Sequence, residues 1–259
     1  MTPLRIGSVP YLNARPLVAG LADDPDVRYR EEVPSRLAER LADGALDAAL
    51  VSSIEALRPG AAPLIENVCI GSDGPVLSVL LVGRDDPRRA ATVALDGASL
   101  TAATLTRVVY HHFLERRDVS FVRADVAPDP ARTGADATLV IGDAALRLLE
   151  EGRTGARVLD LGAAWTEATG LPFLWAGWLT SPGADLGRLR RRLDRAWEDG
   201  RPRRGEDARR GARELGLSSG LAERYLLEVM RYPFGARERA GLVRFGELAR
   251  TIPDSPIAG

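Results

Sequence analysis

Asn13 is the first residue whose type and setting suit chemistry. It lies in Ser8-Val-Pro-Tyr-Leu-Asn13, at the start of an expected helix, in a 259-residue chain whose only other asparagine is Asn67 and which has no glutamine. A side-chain amide offers an uncharged donor and acceptor together, enough to orient a hydroxyl or a carboxylate. Asparagine also suits an N-cap or a turn, and the sequence leaves both roles open. The second candidate is Ile70-Gly-Ser-Asp-Gly-Pro-Val-Leu-Ser-Val79, where Gly71 and Gly74 permit close backbone approach while Ser72 and Ser78 offer hydroxyls. A glycine-proline turn leading into a strand would use the same residues. A nucleophilic serine needs a neighbouring base. His111 and His112 sit about ten residues into the helix expected from Ser99, roughly 15 Å from its start, and read as surface or packing residues.

Composition removes much other chemistry. All 35 positive charges are arginine, because lysine is absent, a pattern that GC-rich coding would leave. That excludes a Schiff-base or pyridoxal-anchoring lysine, a P-loop lysine and a lysine base. One cysteine, Cys69, and two histidines exclude a structural zinc cluster, a Cys-His nucleophile pair and a disulfide framework. No cofactor and no metal are expected. Cys69, in an apolar stretch, reads as a small core residue, and Trp165, Trp175, Trp178 and Trp197 read as core, with Trp165 the one near enough to Asp160-Leu-Gly162 to approach a cleft. A net charge of −1 gives no reason to expect nucleic acid or an anionic membrane as a partner. No apolar run reaches the roughly 18 residues of a membrane span, and Met1 to Arg5 leads straight into an apparent strand. The expected location is the cytoplasm.

The elements that must position these residues show internal similarity. Asp47-Ala-Ala-Leu-Val-Ser-Ser-Ile-Glu-Ala-Leu57 and Asp136-Ala-Thr-Leu-Val-Ile-Gly-Asp-Ala-Ala-Leu146 match at Asp, Ala, Leu, Val, Ala and Leu with an offset of 89. Each reads as a short apolar strand, a two-residue turn and a helix start. Arg5 to Asn13 lies against Val93 to Thr101 at almost the same offset. Two similar α/β halves follow, each expected on a mostly parallel sheet. Val76 to Gly83 and Pro172 to Thr180 are candidate crossing strands. They divide the chain into lobe I, residues 1–84 with 181–259, and lobe II, residues 85–180, with the ligand cleft between them. Helices are expected over Leu186–Glu198, Gly205–Leu215, Ser219–Tyr232 and Ala236–Thr251, broken at Gly200, Gly216 and Pro233-Phe-Gly235. The arginines from Arg188 to Arg213 alternate with acids and read as a solvated face.

In open parallel sheets ligands collect at the carboxyl ends of strands, where helix starts present free N–H groups. Four such turns face the expected cleft: Ser8 to Asn13, Ser52-Ser53, Ser99 to Thr101, and Gly142-Asp143. They suit a small carboxylate. Arg15 is placed either to pair with such a group or to sit on the outer face of its helix.

Four stretches, in order along the chain, resemble the chorismate dehydratases of the futalosine route to menaquinone. They are Val9-Pro-Tyr-Leu-Asn-Ala-Arg-Pro-Leu17, Gly71-Ser-Asp-Gly-Pro-Val-Leu-Ser-Val-Leu80, Ile141-Gly-Asp-Ala-Ala-Leu146, and Asp160-Leu-Gly-Ala-Ala-Trp165 followed by Thr169-Gly-Leu-Pro-Phe173. The resemblance implies an α/β, two-lobed, type II periplasmic-binding-protein-like fold with two crossover strands and a helical C-terminal tail. It also implies a lyase that removes water from chorismate to give 3-[(1-carboxyvinyl)oxy]benzoate. With no Lys, Cys or His in the matched stretches, the substrate's enolpyruvyl carboxylate is expected to take the C3 proton, oriented with Asn13. Asn13 and Ser72 are the expected catalytic residues. Tyr11, Arg15, Ser52, Ser53, Gly74, Ser99, Thr101 and Gly142 are the expected substrate contacts. Two rivals share the fold: a carboxylate-binding protein without catalysis, and an enzyme of the 1,4-dihydroxy-6-naphthoate synthase type, expected to use a histidine base. The Tyr11-Leu12-Asn13 signature favours the dehydratase.

Overall fold

The computed structural model of the chain describes residues 2–61, 63–97, 99–124, 133–152 and 157–253. Its strands are β1 (Leu4–Ser8), β2 (Val27–Glu31), β3 (Ala48–Ser52), β4 (Leu64–Ser72), β5 (Val79–Gly83), β6 (Thr92–Asp96), β7 (Ser120–Ala124), β8 (Ala137–Ile141), β9 (Val158–Asp160), β10 (Phe173–Thr180) and β11 (Arg231–Pro233). They form a six-stranded sheet, β11-β4-β10-β3-β1-β2, and a five-stranded sheet, β7-β6-β8-β5-β9. Two inner strands, β3 (Ala-Ala-Leu-Val-Ser) and β5 (Val-Leu-Leu-Val-Gly), are buried at every residue. The edge strands β2 and β7 carry charge and are largely exposed.

The internal similarity corresponds to a shared piece of topology. β1 pairs in parallel with β2 and β3, and β6 in parallel with β7 and β8. The two matched aspartates do related work at the start of these units. The Asp47 carboxylate accepts the Arg5 backbone N–H at 2.7 Å, and the Asp136 carboxylate accepts those of Ala91 and Thr92 at 3.0 and 2.9 Å.

Three expectations need correcting. Each sheet is mixed, because β10 runs antiparallel to β3 and β4, and β5 antiparallel to β8 and β9. Hydrophobic runs do not reveal strand direction, so a crossing strand reads like its parallel neighbours. Secondly, β5 belongs to the second sheet and β10 to the first. The chain therefore changes sheet between Ser72 and Val79 and again between Asp160 and Phe173, not at the expected boundaries of 84/85 and 180/181. Thirdly, the helix expected over Ser219–Tyr232 is shorter. It runs as Ser219–Glu223, closes in a π-helical turn at Arg224–Val229, and gives way to β11, which pairs with the edge of β4.

The helices that matter for the cleft are α1 (Pro34–Ala42), α2 (Leu100–Val108), α3 (Asp143–Glu150) and α4 (Leu161–Thr169). The C-terminal part adds α5 (Leu186–Gly200), α6 (Arg204–Leu215), α7 (Ser219–Glu223) and α8 (Ala236–Arg250). The arginine-rich face is solvated and paired, with Arg192 on Asp24 and Asp26, and Arg210 on Asp207. Trp165 does not approach a cleft. It is fully buried, its ring 5.0 Å from Phe173 and 6.1 Å from Phe113, while Phe245 on α8 closes the cluster at 5.0 Å from Phe173. Rings from both sheets' surroundings thus share one core, each contributing about 2 kcal/mol of burial. Cys69 is buried in the core. His112 packs against the end of α8, its Nε2 at 3.3 Å from the Leu248 carbonyl. No described helix is long and apolar enough to cross a membrane.

The first crossing is tied down by Asp160. Its carboxylate caps α4 through the N–H groups of Gly162 (2.9 Å) and Ala163 (3.0 Å), and also accepts those of Val76 (3.0 Å) and Leu77 (2.8 Å) in the crossing segment. Loss of water raises the carboxyl above the usual carboxylate range, while the four amides pull it back. Asp160→Ala removes a cap and strands two further amides, so we expect a loss of about 3 kcal/mol in urea unfolding. Asp47 gives a test of pH dependence. Burial lifts its carboxyl, but the Arg5 side chain, with Nη2 at 2.5 Å, and the Arg5 backbone outweigh this and hold it below the usual value. A depressed folded-state value stabilises above the unfolded value and is lost as pH falls through the folded one. Asp47→Asn should therefore cost about 1 kcal/mol at pH 7, and its melting-temperature gap to wild type should close as the pH falls below about 4.

Candidate functional site

The turn after β1 carries the tightest cluster of candidates. Tyr11 is extended and precedes a 3-10 helix, Leu12–Leu17, in which Leu12 and Leu17 are fully buried. Anchored this way, Asn13 lines a cavity between the two sheets, about 550 Å³ of atom-free space that includes the solvent at its open mouth. β3, β4 and β10 supply one wall with Ser52, Ile70 and Trp175. The second sheet supplies Ser78, Ile141 and Gly142, with Ser99 at the start of α2. Four helix starts therefore converge here, beginning at Leu12, Ser53, Leu100 and Asp143. None of the described residues lining the cavity is charged. The polar groups presented to it are an amide, hydroxyls, and the positive ends of helix dipoles.

Asn13 is 9% exposed, so its amide can meet little besides the protein and the cavity. Its Nδ2 donates to the Tyr225 hydroxyl at 2.8 Å, and that hydroxyl donates to Ser78 Oγ at 2.9 Å. Asn13 Oδ1 is buried without a protein partner. Tyr232 fixes the backbone by donating to the Asn13 carbonyl at 3.1 Å. Gly142 adopts φ +63°, ψ −143°, a conformation for glycine alone, and a Cβ there would lie 3.1 Å from the Tyr11 ring. Its N–H donates to the Ser78 carbonyl at 2.7 Å.

Two carboxylates, Asp96 and Asp143, act electrostatically on Tyr11, which lines the cavity. Asp143 accepts the Leu12 N–H at 3.2 Å, and burial lifts its carboxyl above the usual range despite that bond. Burial, followed by the charges of Asp96 and Asp143, pushes the Tyr11 phenol up to about 12. Tyr11 is therefore a neutral hydroxyl at working pH. Among the described residues no group of three His, Cys, Asp or Glu could hold a metal ion.

Of the expected site residues, Tyr11, Asn13, Ser52, Ser99 and Gly142 line this cavity. Ser72 does not: it is fully buried behind the wall, where its Oγ accepts the Trp175 indole N–H at 3.0 Å. Gly74 also lies off it, its N–H given to Thr166 Oγ1 at 2.9 Å. Ser53 and Thr101 are occupied in joining the two sheets' turns. Thr101 Oγ1 accepts the Ile54 N–H at 3.1 Å and lies 3.3 Å from Ser53 Oγ, while Ser53 Oγ also donates to the Leu174 carbonyl of its own sheet at 2.6 Å. Arg15 turns outward to pair with Glu214 and opens on a separate hollow with Arg203 and Arg210. Three lining or supporting residues lay outside the expected site. Ser78 was one of two serines available in its stretch. Trp175 was read as core, and no local signal marks Tyr225, which is 212 residues from Asn13.

Chains of known identity are similar to this one in sequence or in fold. A chorismate dehydratase of Campylobacter jejuni is 29% identical over 177 residues, 66% of this chain and 64% of that relative's length, so the match spans less than two thirds of it. A chorismate dehydratase of Thermus thermophilus is 29% identical over 282 residues, 99% of this chain and 98% of the relative. Among solved structures, protein AF1704 of Archaeoglobus fulgidus superposes with a TM-score of 0.76 at 15% identity, covering 96% of this chain and 97% of that one. The periplasmic aliphatic sulphonate binding protein SsuA of Escherichia coli superposes with a TM-score of 0.59 at 18% identity, covering 98% and 90%. The structural likenesses establish the fold, that of the periplasmic binding proteins. Family membership rests on sequence: the profile of the menaquinone biosynthesis family matches residues 4–251, and the chain belongs to that family.

Proposed function

We propose that this protein is a chorismate dehydratase, a cytoplasmic lyase of the futalosine route that converts chorismate to 3-[(1-carboxyvinyl)oxy]benzoate. The observation that carries the reading is the convergence of four helix starts and the amide of Asn13 on one uncharged cavity, in a chain of the menaquinone biosynthesis family whose relatives carry that name. Chorismate brings two carboxylates, and neutral donors at helix ends are suited to receive them. The halves built on the two sheets act as lobes that close on the substrate and exclude water.

The reaction asks little base strength of the protein. The C3–H pair becomes the new ring double bond as the C4–O bond breaks, and aromatisation drives the step. The enolpyruvyl carboxylate takes the C3 proton, the C4 hydroxyl leaves, and the proton joins it as water, so one water is released. Asn13 holds the departing hydroxyl and the side chain in line for this transfer. Ser52, Ser99, Gly142 and Tyr11 bind substrate. Ser72 supports the reaction by fixing Trp175. A binder without catalysis is the competing reading, supported by the likeness to a sulphonate-binding protein.

The test is incubation of the purified protein with chorismate, read by mass spectrometry for a product lighter by one water. Unchanged chorismate with tight binding overturns the dehydratase reading in favour of the binder. In the same assay Asn13→Ala should lose about a hundredfold in kcat while melting within a few degrees of wild type. Full turnover by a folded Asn13→Ala would remove Asn13 from the reaction.

A further inference from the structure

Tyr225 stands outside every sequence motif, yet its hydroxyl is the centre of the polar chain behind the cavity. The residue is 1% exposed, on the π-helical turn between α7 and β11. A phenol has one hydrogen to give. Having given it to Ser78 Oγ at 2.9 Å, Tyr225 can only accept from Asn13, whose Nδ2 lies at 2.8 Å. Two consequences follow for the cavity. The Asn13 amide is held with its nitrogen on Tyr225, which leaves Oδ1, on a residue that lines the cavity, buried and without a protein partner. Ser78, which lines the cavity, has one lone pair engaged by Tyr225 and keeps its own hydrogen to donate.

We infer that Tyr225 is a positioning residue that gives the cavity its polarity: through it Asn13 presents an acceptor and Ser78 a donor, which together select a ligand carrying a hydroxyl and a carboxylate. The inference rests on the dehydratase reading for the identity of that ligand. Chorismate has a ring carboxylate and a C4 hydroxyl, so Asn13 Oδ1 accepts from the hydroxyl that departs, and Ser78 donates to a carboxylate. Without Tyr225 the amide is free to turn over and Ser78 to point its hydrogen inward. Burial raises the Tyr225 phenol well beyond working pH, so its hydrogen is always present to set the direction of the chain.

The test uses wild type, Tyr225→Phe and Ser78→Ala, with two probes, benzoate and 4-hydroxybenzoate, in calorimetric binding, and chorismate turnover alongside. Wild type should bind 4-hydroxybenzoate about tenfold more tightly than benzoate, the worth of one buried hydrogen bond. Tyr225→Phe should bring that ratio close to one and lower kcat about tenfold or more. Ser78→Ala should weaken both probes about tenfold, keep their ratio, and raise KM more than it lowers kcat. A folded Tyr225→Phe that keeps the ratio and kcat, or that weakens both probes equally, overturns the inference. So does a wild type that binds the probes alike or not at all. Should Tyr225→Phe fail to fold, Ser78→Ala decides alone, and unchanged benzoate affinity is the overturning result. A wild type that shows the probe ratio but leaves chorismate intact overturns the dehydratase reading and leaves the role of Tyr225 standing. Turnover by wild type with an unaffected Tyr225→Phe does the reverse.

Discussion

One carboxylate holds the two halves of this molecule in register. Asp160 ends β9, caps α4, and receives the backbone N–H groups of Val76 and Leu77 where the chain leaves the first sheet for the second. Leu77 sits at φ +62°, a left-handed conformation that costs a branched side chain about 1 to 3 kcal/mol. The bond from its N–H to Asp160 is what that conformation gains. The residue after it is Ser78, whose carbonyl receives Gly142 and whose hydroxyl receives Tyr225. A relaxed Leu77 would turn Ser78 away from the cavity, so the site depends on a residue that does not itself line it.

The exchange of strands carries the same logic to the whole fold. β5 completes the second sheet and β10 the first, each entering antiparallel beside the strand that ends at the cavity, β8 and β3. Both sheets then direct the carboxyl ends of their parallel strands, and the helix starts that follow, toward one gap. None of the described residues that line this gap is charged. Many of the chain's arginines are paired with acids on the surface, whereas the cavity is lined by hydroxyls, an amide and apolar groups, at no cost of burying a guanidinium. Asp96 and Asp143 act on Tyr11 from behind the lining.

Much of this was legible in the sequence, for particular reasons. The 89-residue offset is visible because Asp47 and Asp136 perform related hydrogen bonding at the base of matching strand pairs, and the residue types follow the task. The helix starts at Asn13, Ser52, Ser99 and Gly142 were legible because small polar residues after an apolar strand have few other uses. Strand direction, and with it the true points of crossing, was not, since burial pattern is blind to direction. Ser72 and Ser78 could not be told apart either. Which of them faces the cavity is decided by the left-handed turn at Leu77, and a periodicity argument assumes that no such turn intervenes. Trp175 looked like core because it is core on one face, with its ring against Phe173 at 4.4 Å, and cavity wall on the other.

The C-terminal helices are where local reading had least to work with, and they prove integral to the site. Two glycines explain how they reach it. At Gly200, the end of α5, a Cβ would collide with the Pro16 carbonyl, and at Gly211, within α6, it would collide with the Leu12 side chain. Both contacts fall on the 3-10 helix that carries Asn13, so the tail packs against the segment on either side of the amide. From that platform the π-helical turn adds one hydrogen-bond register to the chain after α7 and delivers Tyr225 between Asn13 and Ser78. A tail that merely covered the first sheet would have no need of such close approach. Its glycines, its helical bulge and the buried phenol make sense together as a device that reaches across to a polar pair contributed by the two sheets, and the match of the family to residues 4–251 takes in the whole of it.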